Sequence, residues 1–158
     1  MALTATLVLV WSGLADAADW GTIVPLESTT ESVRAVYGQP SSASTTKVDG
    51  RETVEWTYEG ESVPRGMIRM VVQFGVLRPE GYQADRVRTF RLEPKPGVFS
   101  RRQVLVAWGK PDQGGLQDGV PFMVYKSGLT VYFDKDVLYA VSMWFTAPRP
   151  EAEPKGKP

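Results

Sequence analysis

Two short stretches of this chain carry the same start and the same stop, and they limit what it can fold into. Residues 100–111 read Ser-Arg-Arg-Gln-Val-Leu-Val-Ala-Trp-Gly-Lys-Pro. Ser100 and Gln103 fit a capping box, in which a hydroxyl accepts from an orphan N–H and the amide side chain reaches back. Val104, Ala107 and Trp108 fall at i, i+3 and i+4 and form one apolar helix face. Gly109 is placed for a left-handed C-cap, and Pro111 keeps the chain from continuing. Residues 28–40 repeat the unit, with Ser28 and Glu31 as the box, Val33, Val36 and Tyr37 as the face, and Gly38 and Pro40 as the stop. The spacing therefore predicts a tandem repeat.

Each unit is short. Below about 80 residues a lone unit buries a thin core, so two repeats in a chain of 158 residues should share one. The segments after each helix read as strands. Residues 52–59 alternate, with Val54, Trp56 and Tyr58 on one face and Glu55, Thr57 and Glu59 on the other. Residues 67–74 and 85–92 follow the same rule, and residues 122–125, 129–133 and 138–145 do so in the second unit. The Ser/Thr-rich residues 41–50, the Gly-rich residues 112–121 and residues 75–84, with Pro79 and Gly81, read as loops. The expected fold is α+β: two helix–strand–strand–strand repeats with both helices packed on one face of antiparallel sheet. The first repeat spans residues 18–93 and the second residues 94–146. Residues 147–158, with four prolines and no large apolar residue, read as a disordered tail.

Composition removes several functions. Lys+Arg and Asp+Glu are both 18, and a nucleic-acid footprint would need a basic excess. There is no histidine and no cysteine. That takes away the commonest general base, the commonest zinc ligand, thiol chemistry and any Ser-His-Asp arrangement. Residues 3–14 are apolar or small, and Ala15-Asp16-Ala17 follows as a cleavage site. The run is shorter than the ~20 residues that span a bilayer. Residues 1–17 thus read as a signal peptide, although no basic residue precedes the run. No integral membrane segment is expected after cleavage, and the destination is periplasmic or secreted.

The order Val-x-x-x-Trp-Gly-x-Pro, aromatic-x-Tyr strand and Val-x-Phe strand resembles the SmpA/OmlA, or BamE-like, domain of outer-membrane lipoproteins. The first unit carries it at Val33, Tyr37, Gly38, Pro40, Trp56, Tyr58, Val72 and Phe74. The second carries it at Val104, Trp108, Gly109, Pro111, Tyr125, Val131, Phe133 and Asp134. Two such units in tandem resemble the fold of the β-lactamase inhibitor protein. The resemblance implies export and protein–protein contact without catalysis. The lipidated cysteine usual in that family is missing here.

Candidate chemistry is sparse. Asp134 and Asp136 could hold Ca²⁺, but they lack the further oxygen ligands of a calcium loop and equally suit a turn. Glu59 and Glu61 flank Gly60 as a solvated hairpin would, or as an acid–base pair would. Gly114-Gly115 with Gly119 has no Lys-Ser/Thr or helix start for a phosphate cradle. Arg101-Arg102, with Arg149, is a surface pair or a contact for an acidic partner. No cofactor, metal or catalytic residue is assigned. Trp56, Tyr58, Phe74, Tyr125 and Phe133 have inward parity. The opposite face is polar in the first repeat and carries Phe122, Val124, Tyr132 and Trp144 in the second, a candidate partner-binding face. Cover from the lead-in around Trp20 or from residues 114–119, or a homodimer, would also account for it. The expected function is a non-enzymatic, secreted or cell-envelope interaction module whose partner is another envelope or extracellular protein. The alternative is a periplasmic small-molecule or glycan-binding domain using the aromatic face. Export is tested by N-terminal sequencing: protein recovered from the periplasm or medium should begin at Ala18, and intact Met1 in the cytosol would contradict it.

Overall fold

Helices α1 (Thr30–Tyr37) and α2 (Arg101–Trp108) form where the two punctuated stretches place them, in a computed structural model that describes residues 18–149. Residues 1–17, read above as a signal peptide, and the tail beyond Arg149 lie outside the described residues. The α2 box closes as expected: Gln103 N–H donates to Ser100 Oγ at 3.2 Å, and Ser100 N–H to Gln103 Oε1 at 2.8 Å. The α1 box is shifted by one residue, to Thr29 and Ser32. Ser28 is buried instead, where its Oγ accepts from Val24 N–H at 2.9 Å and donates to Thr22 O at 3.2 Å.

Both helices stop at glycine, with a stricter geometry than a left-handed cap. Gly38 has φ 74° and ψ −157°, and Gly109 has φ 75° and ψ −155°. Only glycine enters that region without strain. The stops are tied to the sheet in the same way, because Tyr58 Oη donates to Gly38 O and Tyr125 Oη to Gly109 O, each at 3.2 Å. Each helix commits one residue fully to the core, Val33 or Val104, while Val36 and Ala107 of the expected faces are exposed.

The expected α+β arrangement of two helix–strand–strand–strand repeats, with helices on one sheet face, is overturned. The structure is dominated by one eight-stranded antiparallel sheet, with only two helices of eight residues each. Its strands are β1 (Ser42–Val48), β2 (Arg51–Glu59), β3 (Met67–Arg78), β4 (Gly81–Pro94), β5 (Gln113–Gln117), β6 (Val120–Val124), β7 (Leu129–Phe133) and β8 (Ala140–Phe145). β1 and β5 fall in the two stretches read as loops. Both are exposed at every position, so no apolar period marks them. They form because Asp49-Gly50 and Asp118-Gly119 turn the chain, all four at positive φ, as tight two-residue hairpins require. Residues 75–84 are not a loop either: β3 and β4 run on to a hairpin turned at Pro79-Glu80. Gly75 bends that arm at φ 98°, and the Tyr82 ring lies over it where any Cβ would collide.

Strand order is β1-β2-β3-β4-β8-β7-β6-β5. Each helix is thus followed by a four-stranded meander, and the meanders join through their last strands. Phe90 pairs with Phe145 across that joint, rings 4.3 Å apart and 5° from parallel. The buried face carries Trp56, Val72, Phe90, Phe145 and Leu129 in one cross-strand row, and Tyr58, Met70, Leu92, Met143, Val131 and Met123 in the next. These residues, with Val33 and Val104, make one hydrophobic cluster. Burial pushes the Tyr58 phenol up from 10.0 to about 12.

Two outcomes follow from this packing. Gly38→Val and Gly109→Val should each cost on the order of 1–3 kcal/mol. With one core, each should lower the melting temperature of a single calorimetric transition, and two transitions responding separately would contradict it. The neutral Tyr58 phenol stabilises the fold fully below pH 10, and that stabilisation is lost as pH rises toward 12. Tyr58→Phe should cost about 1 kcal/mol at neutral pH and flatten the alkaline fall in urea-melt stability.

Candidate functional site

The face of the sheet opposite the hydrophobic cluster carries a row that crosses all eight strands. Ser42 pairs with Thr57, Thr57 with Val71, Val71 with Arg91, and Arg91 with Trp144. Trp144 then pairs with Thr130, Thr130 with Val124, and Val124 with Gln113. A second row on the same face holds Phe122, Tyr132 and Ser142. Antiparallel register therefore puts Phe122, Val124, Tyr132 and Trp144 on one face, as the period-2 pattern predicts.

Their environments differ. Val124 is buried at 7% exposure, Phe122 and Tyr132 are half-buried, and Trp144 is 38% exposed. The Phe122 and Tyr132 rings lie 6.4 Å apart, tilted by 44°. Tyr132 Oη donates to Gln117 Oε1 at 3.1 Å, which ties the patch to the edge strand. The lead-in does not cover this face, since Trp20 stacks on Tyr37 of α1 at 6.2 Å. Residues 113–117 do not cover it either, because they are themselves a strand of the sheet.

Arg91 is the residue the sequence did not connect to this patch. Its guanidinium sits 5.1 Å from the Trp144 ring centroid and pairs with Glu93 at 2.9 Å. Two groups hold it, so it presents a fixed cation beside an exposed indole. A shallow depression of about 180 Å³ opens next to Trp144, lined also by Glu55, Arg69, Gln73 and Thr89. Its polar groups are interlocked: Gln73 Nε2 donates to Glu55 Oε2 at 2.8 Å, Thr89 Oγ1 donates to Gln73 Oε1 at 3.0 Å, and Arg69 pairs with Glu59. The alternation of residues 52–59 marks these side chains as facing solvent. Only the β4–β8 pairing brings them beside Trp144.

The remaining candidates are placed as follows. Asp134 opens the β7–β8 turn and accepts from Leu138 N–H at 2.8 Å, with Asp136 exposed in the same turn. Glu59 pairs with Arg69, and Glu61 lies in a single 3₁₀ turn. Gly114 and Gly115 belong to β5, and Gly119 to the β5–β6 turn. Arg101 lies beside the β7–β8 turn, its N–H donating to Leu138 O at 2.8 Å, whereas Arg149 lies beside the β6–β7 turn, its N–H donating to Lys126 O. The length of β7 separates them, so they do not form one basic spot. Among the described residues, no group of three or more Asp or Glu is arranged to hold a metal ion, and no helix is long and apolar enough to cross a membrane. Comparison with protein-family models, curated proteins and solved structures finds no match.

The exposure of this face sets the cost of trimming it. Trp144→Ala should lose the Arg91 stack and little else, on the order of 1 kcal/mol. A fully buried tryptophan would cost roughly 3–5 kcal/mol. Combined with Tyr132→Ala, the variant should remain folded by circular dichroism, with a sedimentation coefficient unchanged from the wild type. Unfolding of the purified protein would show that the face is covered.

Proposed function

We propose that this protein is a non-enzymatic interaction module of the cell envelope or extracellular space, binding another protein through the outer face of its sheet. The observation that carries this reading is the row across all eight strands. It leaves a broad surface with an exposed indole, a held guanidinium and carboxylates, with a depression of about 180 Å³ beside Trp144. Aromatic and arginine side chains with little conformational freedom left to lose are what protein interfaces select as anchors. The resemblance of the repeated helix and strand pattern to BamE-like domains supports an envelope partner, and the signal-like residues 1–17 support export.

A second reading rests on the depression beside Trp144. An aromatic ring next to interlocked amide, hydroxyl and carboxylate groups also suits a sugar ring, which stacks by one face and hydrogen-bonds by its edge. The two readings separate experimentally. Tagged protein should capture a discrete partner from the native envelope fraction, and Trp144→Ala with Tyr132→Ala should abolish capture. Loss of glycan-array binding in that variant, with no protein captured by the wild type, would favour the sugar.

A further inference from the structure

The two repeats share a scaffold, so each position in one has a structural counterpart in the other, and the counterparts differ in one place. Gly38 N–H donates to Arg34 O and Gly109 N–H to Leu105 O, which makes Leu105 the counterpart of Arg34. Tyr58 and Tyr125 bind the two glycine carbonyls, so Trp56 and Met123, two residues before them, correspond. Their partners on the flanking edge strands, Ala43 and Gly114, correspond as well. In the first repeat Trp56 is 5% exposed, packs 4.7 Å from Phe74 and lies under Arg34, whose guanidinium is 4.9 Å from the ring centroid. In the second repeat the indole has become a thioether, the alanine a glycine and the arginine a leucine.

A hollow of about 420 Å³ occupies that place, lined by Met123, Phe133, Gly114, Leu116, Val137 and Arg101. It shares Arg101 and Val137 with an adjoining hollow of about 340 Å³ against Arg102, Leu105, Leu138 and Tyr139. Together they form an apolar groove, and volumes of this size admit an aromatic side chain. Leu116 is 71% exposed and Leu138 57%. Val137, in the wall of both hollows, is a β-branched residue held at φ 58°. The corresponding surface of the first repeat is polar. The bridges Thr29–Arg86 and Ser100–Tyr139 correspond, so Thr30 and Glu31 stand where Arg101 and Arg102 do, and Asp85 and Arg86 where Leu138 and Tyr139 do. Arg101 and Arg102 form no ion pair with any described residue, and Asp134 in the turn pairs with neither.

We infer that this groove receives a segment of a partner protein that presents a tryptophan or phenylalanine flanked by carboxylates. The ring enters the space that Trp56 fills in the first repeat, and the carboxylates meet Arg101 and Arg102. A second copy of the described chain offers no such segment: Trp20 is stacked on Tyr37; Trp56, Phe74, Phe90, Phe133 and Phe145 are buried; and Trp108, Trp144, Phe99 and Phe122 have no carboxylate on either side. This groove meets the outer sheet face only at its rim, where Gly115 and Phe122 also line the larger hollow, and the inference does not depend on the reading given to that face.

The test titrates ¹⁵N-labelled protein with the peptide acetyl-Glu-Trp-Glu-amide, and with acetyl-Lys-Trp-Lys-amide and acetyl-Glu-Ala-Glu-amide as controls. The expected result is saturable amide shifts at Leu116, Val137, Leu138 and Arg101 with the first peptide alone. Arg101→Glu with Arg102→Glu, both at exposed positions, should weaken binding about tenfold or more. Met123→Trp should fill the hollow and abolish binding without lowering the melting temperature. If Met123→Trp does not fold, Leu138→Lys on the exposed rim carries the same expectation. The inference is overturned if these amides do not shift at millimolar peptide, or if the lysine-flanked peptide binds as well. A concentration-dependent dimer that Leu138→Lys disperses would also overturn it, by assigning the groove to a second copy.

Discussion

Three residue pairs hold this molecule together. Phe90–Phe145, Arg91–Trp144 and Leu92–Met143 are the register between β4 and β8, and they are all that makes two meanders into one sheet. On the inner side the stacked phenylalanines and the Leu92–Met143 contact merge two thin cores into one cluster. On the outer side the same register sets Arg91 over Trp144 and so joins a polar half-face to an aromatic one. Either meander alone would expose one side of its apolar face and an unpaired central edge, a poor prospect for so small a unit.

The helices were legible because their ends are chemical. A capping hydroxyl, an amide three residues on, a glycine and a proline each do one thing in one place. The inward strands were legible because burial imposes a period of two, which Trp56, Tyr58, Val72 and Phe74 display. β1 and β5 were not legible from that period, since an edge strand that faces solvent on both sides has no apolar partner to alternate with. Their signal was in the turns, where Asp49-Gly50 and Asp118-Gly119 stand at corresponding positions. The candidate face was half visible. Parity gives Phe122, Val124, Tyr132 and Trp144 as one set, while the neighbours that complete it lie across a joint between repeats that no local pattern encodes.

Duplicated architecture lets the molecule serve as its own comparison. What the repeats keep is structural: the glycine stops, the tyrosines that bind them, the Asp-Gly turns and the valine and phenylalanine rows. They part where Trp56, Arg34 and Ala43 become Met123, Leu105 and Gly114, and where the outer face turns from charged to aromatic. Conserved scaffold with divergent surface separates residues that maintain the fold from residues free to take on recognition.

The strand order also governs when the fold can close. β8 comes last of the eight strands along the chain yet occupies the middle of the sheet. While the first repeat emerges from the ribosome, β4 has no neighbour on one side, and its Phe90 and Leu92 face a half-built core. Helix α2 and all four strands from β5 to β8 must be synthesised before that edge is capped. From the completion of β4 at Pro94 until β8 is made at Ala140–Phe145 the nascent chain therefore carries a sticky β-edge, the condition under which strands pair with the wrong molecule. A holding chaperone, or delayed folding until the whole chain is available, is the natural remedy for such a topology.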